Sequence, residues 1–568
     1  MLQKKDETTM HHPAQFHFRR SLMVAATGIL TLACWQESST SAEQQPPRPN
    51  ILLIVADDLG YSDLGCFGGE IETPQLDSLA AKGVRLTQFY NTGRCCPSRG
   101  SIMTGQYPHR IGLGHMTRNL NQRGYQGHIA DEAITVAQIL QQGGYRTFLS
   151  GKWHLGTEDP TKLGFEEFYG TLVSAKTFWD VDHFTRLPAS RSTHTYPKGE
   201  FYGTDAVTDY AIDFLRMGRR TPDQPWFLYL AYNAPHFPLH APKEDILKYA
   251  DRYHVGWDQI RKQRLARMKQ LNIVSPETKL SPRSRYWDWG ESEARVNPAW
   301  DSLPTDRRGD LARRMAIFAA MVDRMDQNIG RVLTSLRQNN ELENTLIIFT
   351  SDNGACAEWD PHGFDIKSSR NNTLYWGDQL DKMGGSNTHH SVGSGWANAS
   401  NTPWRLYKHY NHEGGIASPG ILHWPGQVPQ TGTIVSTPAH IIDLVPTLLE
   451  ASKVSYPTKW DDQPTLPLPG KSLIPLIKGK PQKPRTLYFE HQGNRAIREG
   501  RWKLSALRGA PWELYDLSID RTELNNLAQQ RPDLVTQLAL KWNVWANENF
   551  VLPFPKDYRI DYLAPVKE

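Results

Sequence analysis

Cysteine is scarce in this sequence, at five in 568 residues, and that count excludes a disulfide framework as the source of stability. Charge of one sign is also lacking. Lys and Arg total 64 against 60 Asp and Glu, a net +4, which excludes a strong general pull toward nucleic acid or an anionic membrane. Long hydrophobic runs are missing as well. The most apolar run, Leu22 to Ala33, falls short of the roughly 20 residues that span a bilayer, so no transmembrane span is expected. No internal repeat is visible. What is present is a 39% hydrophobic share, ample for a core and incompatible with global disorder. The length calls for one large α/β domain with an appendage, or two to three domains. Eighteen Trp and 22 Tyr would suit a carbohydrate or aryl pocket, although most aromatics serve packing.

The Leu22–Ala33 run follows Arg19-Arg20 and has the length of a signal-peptide core, with a small-residue exit at Thr40-Ser41-Ala42. Residues 1–42 are therefore expected to be a signal peptide, followed by a Pro-rich linker over 43–49. Phe18-Arg19-Arg20-Ser21-Leu22-Met23 resembles a twin-arginine signal, and Leu32-Ala33-Cys34 a lipoprotein box; an ordinary secretory signal is the third reading. Each makes the protein exported, periplasmic or secreted.

Four apolar runs read as strands buried on both faces, and each ends in chemistry. Ile51–Ala56 leads to Asp57-Asp58, and Tyr145–Leu149 to Gly151-Lys152-Trp153-His154. Trp226–Tyr232 leads to Asn233-Ala234-Pro235-His236, and Leu346–Thr350 to Ser351-Asp352-Asn353. Helical patterns separate them at Thr135–Gln142, Asp205–Met217 and Leu311–Arg337. Alternation of this kind predicts a doubly wound α/β fold with a large, mostly parallel sheet, whose ligands bind beyond the carboxyl ends of the strands. Asp57, Asp58, Asp352 and Asn353 are all oxygen donors. Adjacent carboxylates repel unless a cation lies between them, and all-oxygen ligation suits Ca2+ or Mg2+. With Lys152, His154 and His236 on the same rim, the set fits a tetrahedral oxyanion.

Cys95-Cys96-Pro97-Ser98-Arg99-Gly100-Ser101-Ile102-Met103-Thr104-Gly105 looks like a turn into a helix, placing Cys95 where free N–H groups favour an anion. The run resembles the C-x-P-S-R-x-x-x-x-T-G signature of the type I sulfatases, within the alkaline phosphatase superfamily. The resemblance extends to Asp57-Asp58, Gly151–His154, His236, Asp352-Asn353, Lys408 ahead of Glu413-Gly414-Gly415, and the C-terminal Arg501–Leu504 and Glu513–Leu517. Pro403–Lys408 and His412–Ile416 look closest to bacterial arylsulfatases.

Several expectations come with that resemblance. Cys95 would be the residue oxidised to formylglycine, by a formylglycine-generating or sulfatase-maturing enzyme. One divalent cation, Ca2+ with Mg2+ as the other fit, would be held by Asp57, Asp58, Asp352, Asn353 and the modified Cys95. The substrate would be a sulfate monoester, of an aryl group or a sulfated carbohydrate. Lys152, His236 and Lys408 would bind the sulfate and protonate the leaving oxygen. Asp352 would act as base or orienter, His154 would serve the release of sulfate, and Arg99 would hold the geometry. The rivals are a phosphate or phosphonate monoester hydrolase on the same fold, and a catalytically silent, calcium-stabilised surface-binding protein.

Domain limits follow: a catalytic α/β domain over 50–462, a Pro-rich connection over 463–484, and a small C-terminal α+β subdomain over 485–568. The basic stretch Arg261–Lys269 reads as a solvated helix face. Trp287/Trp289 and Trp376/Trp396 read either as a cleft rim or as packing. A Cys66–Cys356 disulfide stays open, because it depends on distance.

Overall fold

The computed structural model describes residues 48–555 apart from 157, 288–293, 367–370, 430 and 481. The expected signal peptide, most of the linker and Trp289 lie outside the described residues.

The central sheet is built from β1 (Asn50–Ala56), β2 (Val84–Tyr90), β3 (Arg146–Lys152), β4 (Glu167–Thr171), β5 (Thr185–Leu187), β6 (Trp226–Ala231), β7 (Thr345–Ser351), β8 (Ala417–His423), β9 (Thr433–Val435) and β10 (Ala439–His440). Its order is β9-β2-β8-β7-β1-β6-β3-β4-β5, with β10 also on β2. The centre β7-β1-β6-β3-β4 is parallel, whereas β8 runs against both β7 and β2. The unbroken apolar run of β1 has a direct cause in packing. Leu52, Ile54 and Ala56 enter one core, with helices Gly203–Gly218 and Thr305–Gln338. Ile51, Leu53 and Val55 enter a second core on the other face, with helices Val136–Gln142 and Leu444–Ser452. Thr135 and Gln138 form a reciprocal cap that starts the Val136 helix where the sequence pattern places it.

The second sheet comprises β11 (Thr486–His491), β12 (Asn494–Glu499), β13 (Trp502–Ala506) and β14 (Glu513–Asp516), all antiparallel. Helix Pro532–Glu548 lies on it through Leu538, Trp542 and Trp545. Within 463–484, Leu473, Ile474, Leu476 and Ile477 are buried in the core of the large sheet. The described residues fall in one compact unit. Lys503, Arg498 and Arg521 of the small sheet and its following loop also converge on Tyr90 of the large sheet and on Glu413, just ahead of β8.

One expectation is corrected here. The stretch Arg261–Lys269 is not simply a solvated face, because Arg264 is 1% exposed. It meets Asp63 at 2.6 Å and Glu70 at 2.7 Å, so the burial is compensated by carboxylates far away in sequence. Of the tryptophans left open between cleft rim and packing, Trp396 packs edge-on to Trp257, Trp300 and Tyr253, while Trp287 is largely buried against Tyr410 and also lines a cavity with Arg405 and Glu513. Trp376 is exposed. Cys66 and Cys356 are free thiols, as are Cys95 and Cys96.

Arg264 gives a stability prediction. Arg264→Ala leaves Asp63 and Glu70 without their cation and should cost about 3–5 kcal/mol, the usual penalty for breaking a buried pair. Chemical denaturation measures it; a loss below about 1 kcal/mol, as for an exposed pair, contradicts this reading.

Candidate active site

All the sequence-selected groups gather along one edge of the large sheet. Asp57-Asp58 follow β1, Asp352-Asn353 follow β7, Lys152 ends β3 with His154 just beyond, and His236 lies past β6. A fifth strand joins them. β2 points the same way as β7, and Asn91–Arg94 carries it into the helix Cys95–Thr104. Because β8 is antiparallel, its beginning lies at this edge, which brings in Lys408 and His412–Ile416. Backbone bonds lock the strand ends together, with Asp57 N–H donating to Ala234 O at 3.1 Å and Asp352 N–H to Ala56 O at 3.2 Å. Two glycines permit the close approach. A Cβ on Gly151 would lie 1.8 Å from Ala231 O, and one on Gly354 would lie 1.9 Å from Gly414 O.

The charges interlock. Lys152 Nζ donates to Asp57 Oδ2 at 2.5 Å. Lys408 Nζ lies 2.7 Å from Asp58 Oδ1, and His236 Nε2 lies 3.5 Å from Asp58 Oδ2. Arg99, fully buried, holds Asp352 by Nε and a terminal nitrogen at 2.8 Å each and donates to Lys152 O at 3.0 Å. Asn353 Nδ2 donates to Asp58 Oδ1 at 2.6 Å. Asp58 and His154 have φ of 66° and 55°, left-handed conformations that non-glycine residues hold when the surroundings enforce them.

Protonation follows from these contacts. Burial drives the Asp352 carboxyl well above the usual range, helped by the facing Asp57 and opposed by Arg99. Burial also acts upward on Asp57, but Lys152, His236 and Arg99 outweigh it and hold that carboxyl low. A hydrogen bond from Cys96, with Lys152, His154 and Lys408 nearby, pulls the Cys95 thiol well down despite burial, while burial and Cys95 push Cys96 up. Burial and Lys152 bring His154 down to about 4, so its ring is neutral.

Two subsets have their ligand atoms within 4.8 Å of one another: Asp57, Asp58 and His236, and Cys95, Cys96 and His154. Asp352 is outside the first subset; Arg99 holds its Oδ2, and its Oδ1 accepts from the Asp58 N–H at 3.3 Å. Asn353 turns its amide nitrogen toward Asp58, so a half-turn of the amide would present oxygen instead. The arrangement nonetheless fits a hard cation. Asp57 Oδ1 and Asn353 Oδ1 are buried without a hydrogen-bond partner, and mutually repelling carboxylates face one another.

Three further residues border the site. Arg94 directly precedes Cys95, and His409 directly follows Lys408; the two side chains touch. Glu358 lies 3.9 Å from Arg94 and 3.7 Å from His409. The adjacency of Arg94 and His409 to motif residues was the only signal in the sequence; Glu358 carried none.

The chain is similar to known proteins over most of its length. The Sulfatase family model matches residues 49–454, and the model for the C-terminal region of N-sulphoglucosamine sulphohydrolase matches 404–547. The chain is 35% identical over 552 residues to an uncharacterized sulfatase of Schizosaccharomyces pombe, covering 91% of this chain and 96% of that one. It is 32% identical over 456 residues to an arylsulfatase of Klebsiella aerogenes, covering 77% and 93%. Among solved structures, Ps i-CgsB in complex with k-i-k-neocarrahexaose superposes with a TM-score of 0.62 at 26% identity, covering 88% and 93%. A phosphonate monoester hydrolase of Agrobacterium radiobacter, at 19% identity, TM-score 0.52 and coverage of 88% and 96%, shares the fold.

Proposed function

The chain belongs to the Sulfatase family and is a sulfuric ester hydrolase, and from that premise we propose that it is an exported enzyme cleaving sulfate monoesters of sugars or aryl groups at the Cys95 edge of the sheet. Cys95 is the residue matured to formylglycine by a dedicated maturing enzyme. Asp57, Asp58, Asp352, Asn353 and the modified Cys95 hold one Ca2+, with Mg2+ as the alternative. The observation that carries this reading is the pairing of Asp57 with Lys152 and of Asp58 with Lys408, both lysines buried, beside the start of the Cys95 helix. Among the described residues, no helix is long and apolar enough to cross a membrane.

When bound, the cation and the aldehyde hydrate supply charge neutralisation and an oxygen nucleophile active near neutral pH. Lys152 and Lys408, both buried, direct ammonium donors at sulfate oxygens in a dry site, where such donors count most. Arg99 fixes Asp352 so that its carboxylate can accept a proton at the nucleophile. His236 and Lys408 meet at Asp58 and serve the leaving oxygen. His154, grouped with Cys95 and neutral, accepts a proton from the Cys95 side chain as sulfate departs.

A series of leaving groups tests the division of labour. His236→Ala should depress turnover of alkoxide esters by roughly 100- to 10,000-fold, the usual worth of general acid catalysis, and affect nitrophenyl sulfate far less. His154→Ala should slow every ester to a similar degree. A steeper leaving-group dependence in His154→Ala with a flat one in His236→Ala reverses the assignment. A solvent-viscosity control first establishes that chemistry limits turnover.

A further inference from the structure

One turn of the small sheet reaches the site beside Lys408. Between β11 and β12, Gln492 and Gly493 take φ of 53° and 85°, as a two-residue hairpin turn requires. Glycine suits such a position; glutamine does not, and its side chain shows why it is there. Gln492 Nε2 meets His115 Nε2 at 2.9 Å, and Gln492 Oε1 meets His409 Nδ1 at 3.3 Å. Asn494 Nδ2 donates to His409 O at 3.0 Å, pinning the turn beside Lys408.

The turn thereby delivers His491. Its ring lies between those of His115, at 6.1 Å, and His409, at 5.9 Å. It is 0% exposed, yet neither ring nitrogen has a hydrogen-bond partner. Buried polar atoms are ordinarily satisfied, and one left open calls for an explanation. Burial, with Arg94 nearby, keeps this imidazole neutral, so it offers one donor and one acceptor. His115 is only half-buried and marks the outer side of the cluster.

We infer that the β11–β12 turn forms a recognition subsite in which His491, His115 and Gln492 bind hydroxyl groups of a sugar ring whose sulfate lies at Cys95. The inference rests on the sulfatase reading and adds the substrate class. A hydroxyl is both donor and acceptor, as a neutral imidazole and a carboxamide are. A second sulfate or a carboxylate would need fixed positive charge, and the neighbouring guanidinium of Arg94 already faces Glu358. An aryl group would leave the His491 nitrogens unpaired.

The test uses the full-length enzyme with matured Cys95, 4-nitrophenyl sulfate, and a panel of galactose 4- and 6-sulfates, N-acetylglucosamine 6-sulfate, N-acetylgalactosamine 6-sulfate and carrageenan oligosaccharides. His491→Ala and His115→Ala should each lower kcat/KM on the preferred sugar sulfate by about tenfold or more, mainly through KM, with a fall of about threefold at most on 4-nitrophenyl sulfate. The half-exposed His115 keeps the test decisive if His491→Ala does not fold. Equal losses on both substrate types make the cluster structural and overturn the inference, as does a parent enzyme that cleaves 4-nitrophenyl sulfate and none of the sugars. A matured parent that cleaves neither type removes the sulfatase reading itself, and the inference with it.

Discussion

Cys95→Ala is expected to lose sulfate ester turnover by at least about 10⁴-fold, as when a covalent nucleophile is deleted, while keeping the parent's thermal midpoint. The fold gives the reason. Cys95 opens its helix, where the first backbone N–H groups have no intrahelical acceptor, and Lys152, Lys408 and His154 surround it. Alanine retains that positive environment but has no oxygen to present to sulfur. Cys95→Ser separates attack from release: serine has one hydroxyl, so it can accept sulfate once but has no second hydroxyl with which to expel it. It should give at most one equivalent of alcohol per enzyme. Peptide mass analysis of active protein should place the aldehyde at Cys95 and leave Cys96 a thiol. Cys96 is fully buried inside the helix, and its thiol is pushed up rather than down. Full activity in Cys95→Ala, or an aldehyde at Cys96, removes the nucleophile from this account.

The strands were legible because each side of a buried parallel strand must be apolar, which leaves unbroken runs such as Ile51–Ala56. Their polar endings were legible because ligand groups collect at carboxyl ends. The strand β2 was harder to see. It carries Arg85, Thr87 and Gln88, with Arg85 spanning Cys66 O and Gly432 O, so its sequence does not read as a buried run. The Arg264 network was not legible either, since Asp63 and Glu70 meet it only after the chain has folded back by about two hundred residues. Glu358 reaches the site from a loop, and His491 from the end of a strand in the other sheet, along paths no periodicity encodes. Lys408 was found through the spacing of a known signature, since nothing local distinguishes it from other lysines. What physical reasoning from sequence recovers well is the edge of the sheet; side chains brought to that edge by long connections need the fold itself.

Removing one carboxylate should show whether that edge is built for a cation. The parent protein is expected to carry about one equivalent of Ca2+ by elemental analysis, and Asp57→Ala far less, with activity falling about 10³-fold or more, comparable to losing a principal electrostatic group. Two observations motivate this. Asp57 Oδ1 is buried without a hydrogen-bond partner, with Arg99 at 3.9 Å, although Lys152 satisfies Oδ2, and burial together with Asp57 raises Asp352. A divalent ion would satisfy the open oxygen and relieve the repulsion. Because Asp57 also pairs with Lys152, loss of activity alone would be ambiguous, so the decisive measurement is thermal. A ligand that binds only the folded state stabilises it by about 2.7 kcal/mol at a hundredfold excess over Kd. Adding Ca2+ to chelator-treated parent should therefore raise its Tm, and adding Ca2+ to Asp57→Ala should not. Asp57→Asn, which keeps the shape but loses the charge, should fall between the two. Titration with Mg2+ alongside Ca2+ then selects the ion, since Mg2+ demands six ligands in a tighter octahedron than Asn353 and the aspartates have to provide. An Asp57→Ala protein that is metal-free and fully active, or a parent whose Tm ignores both ions, rules the cation out.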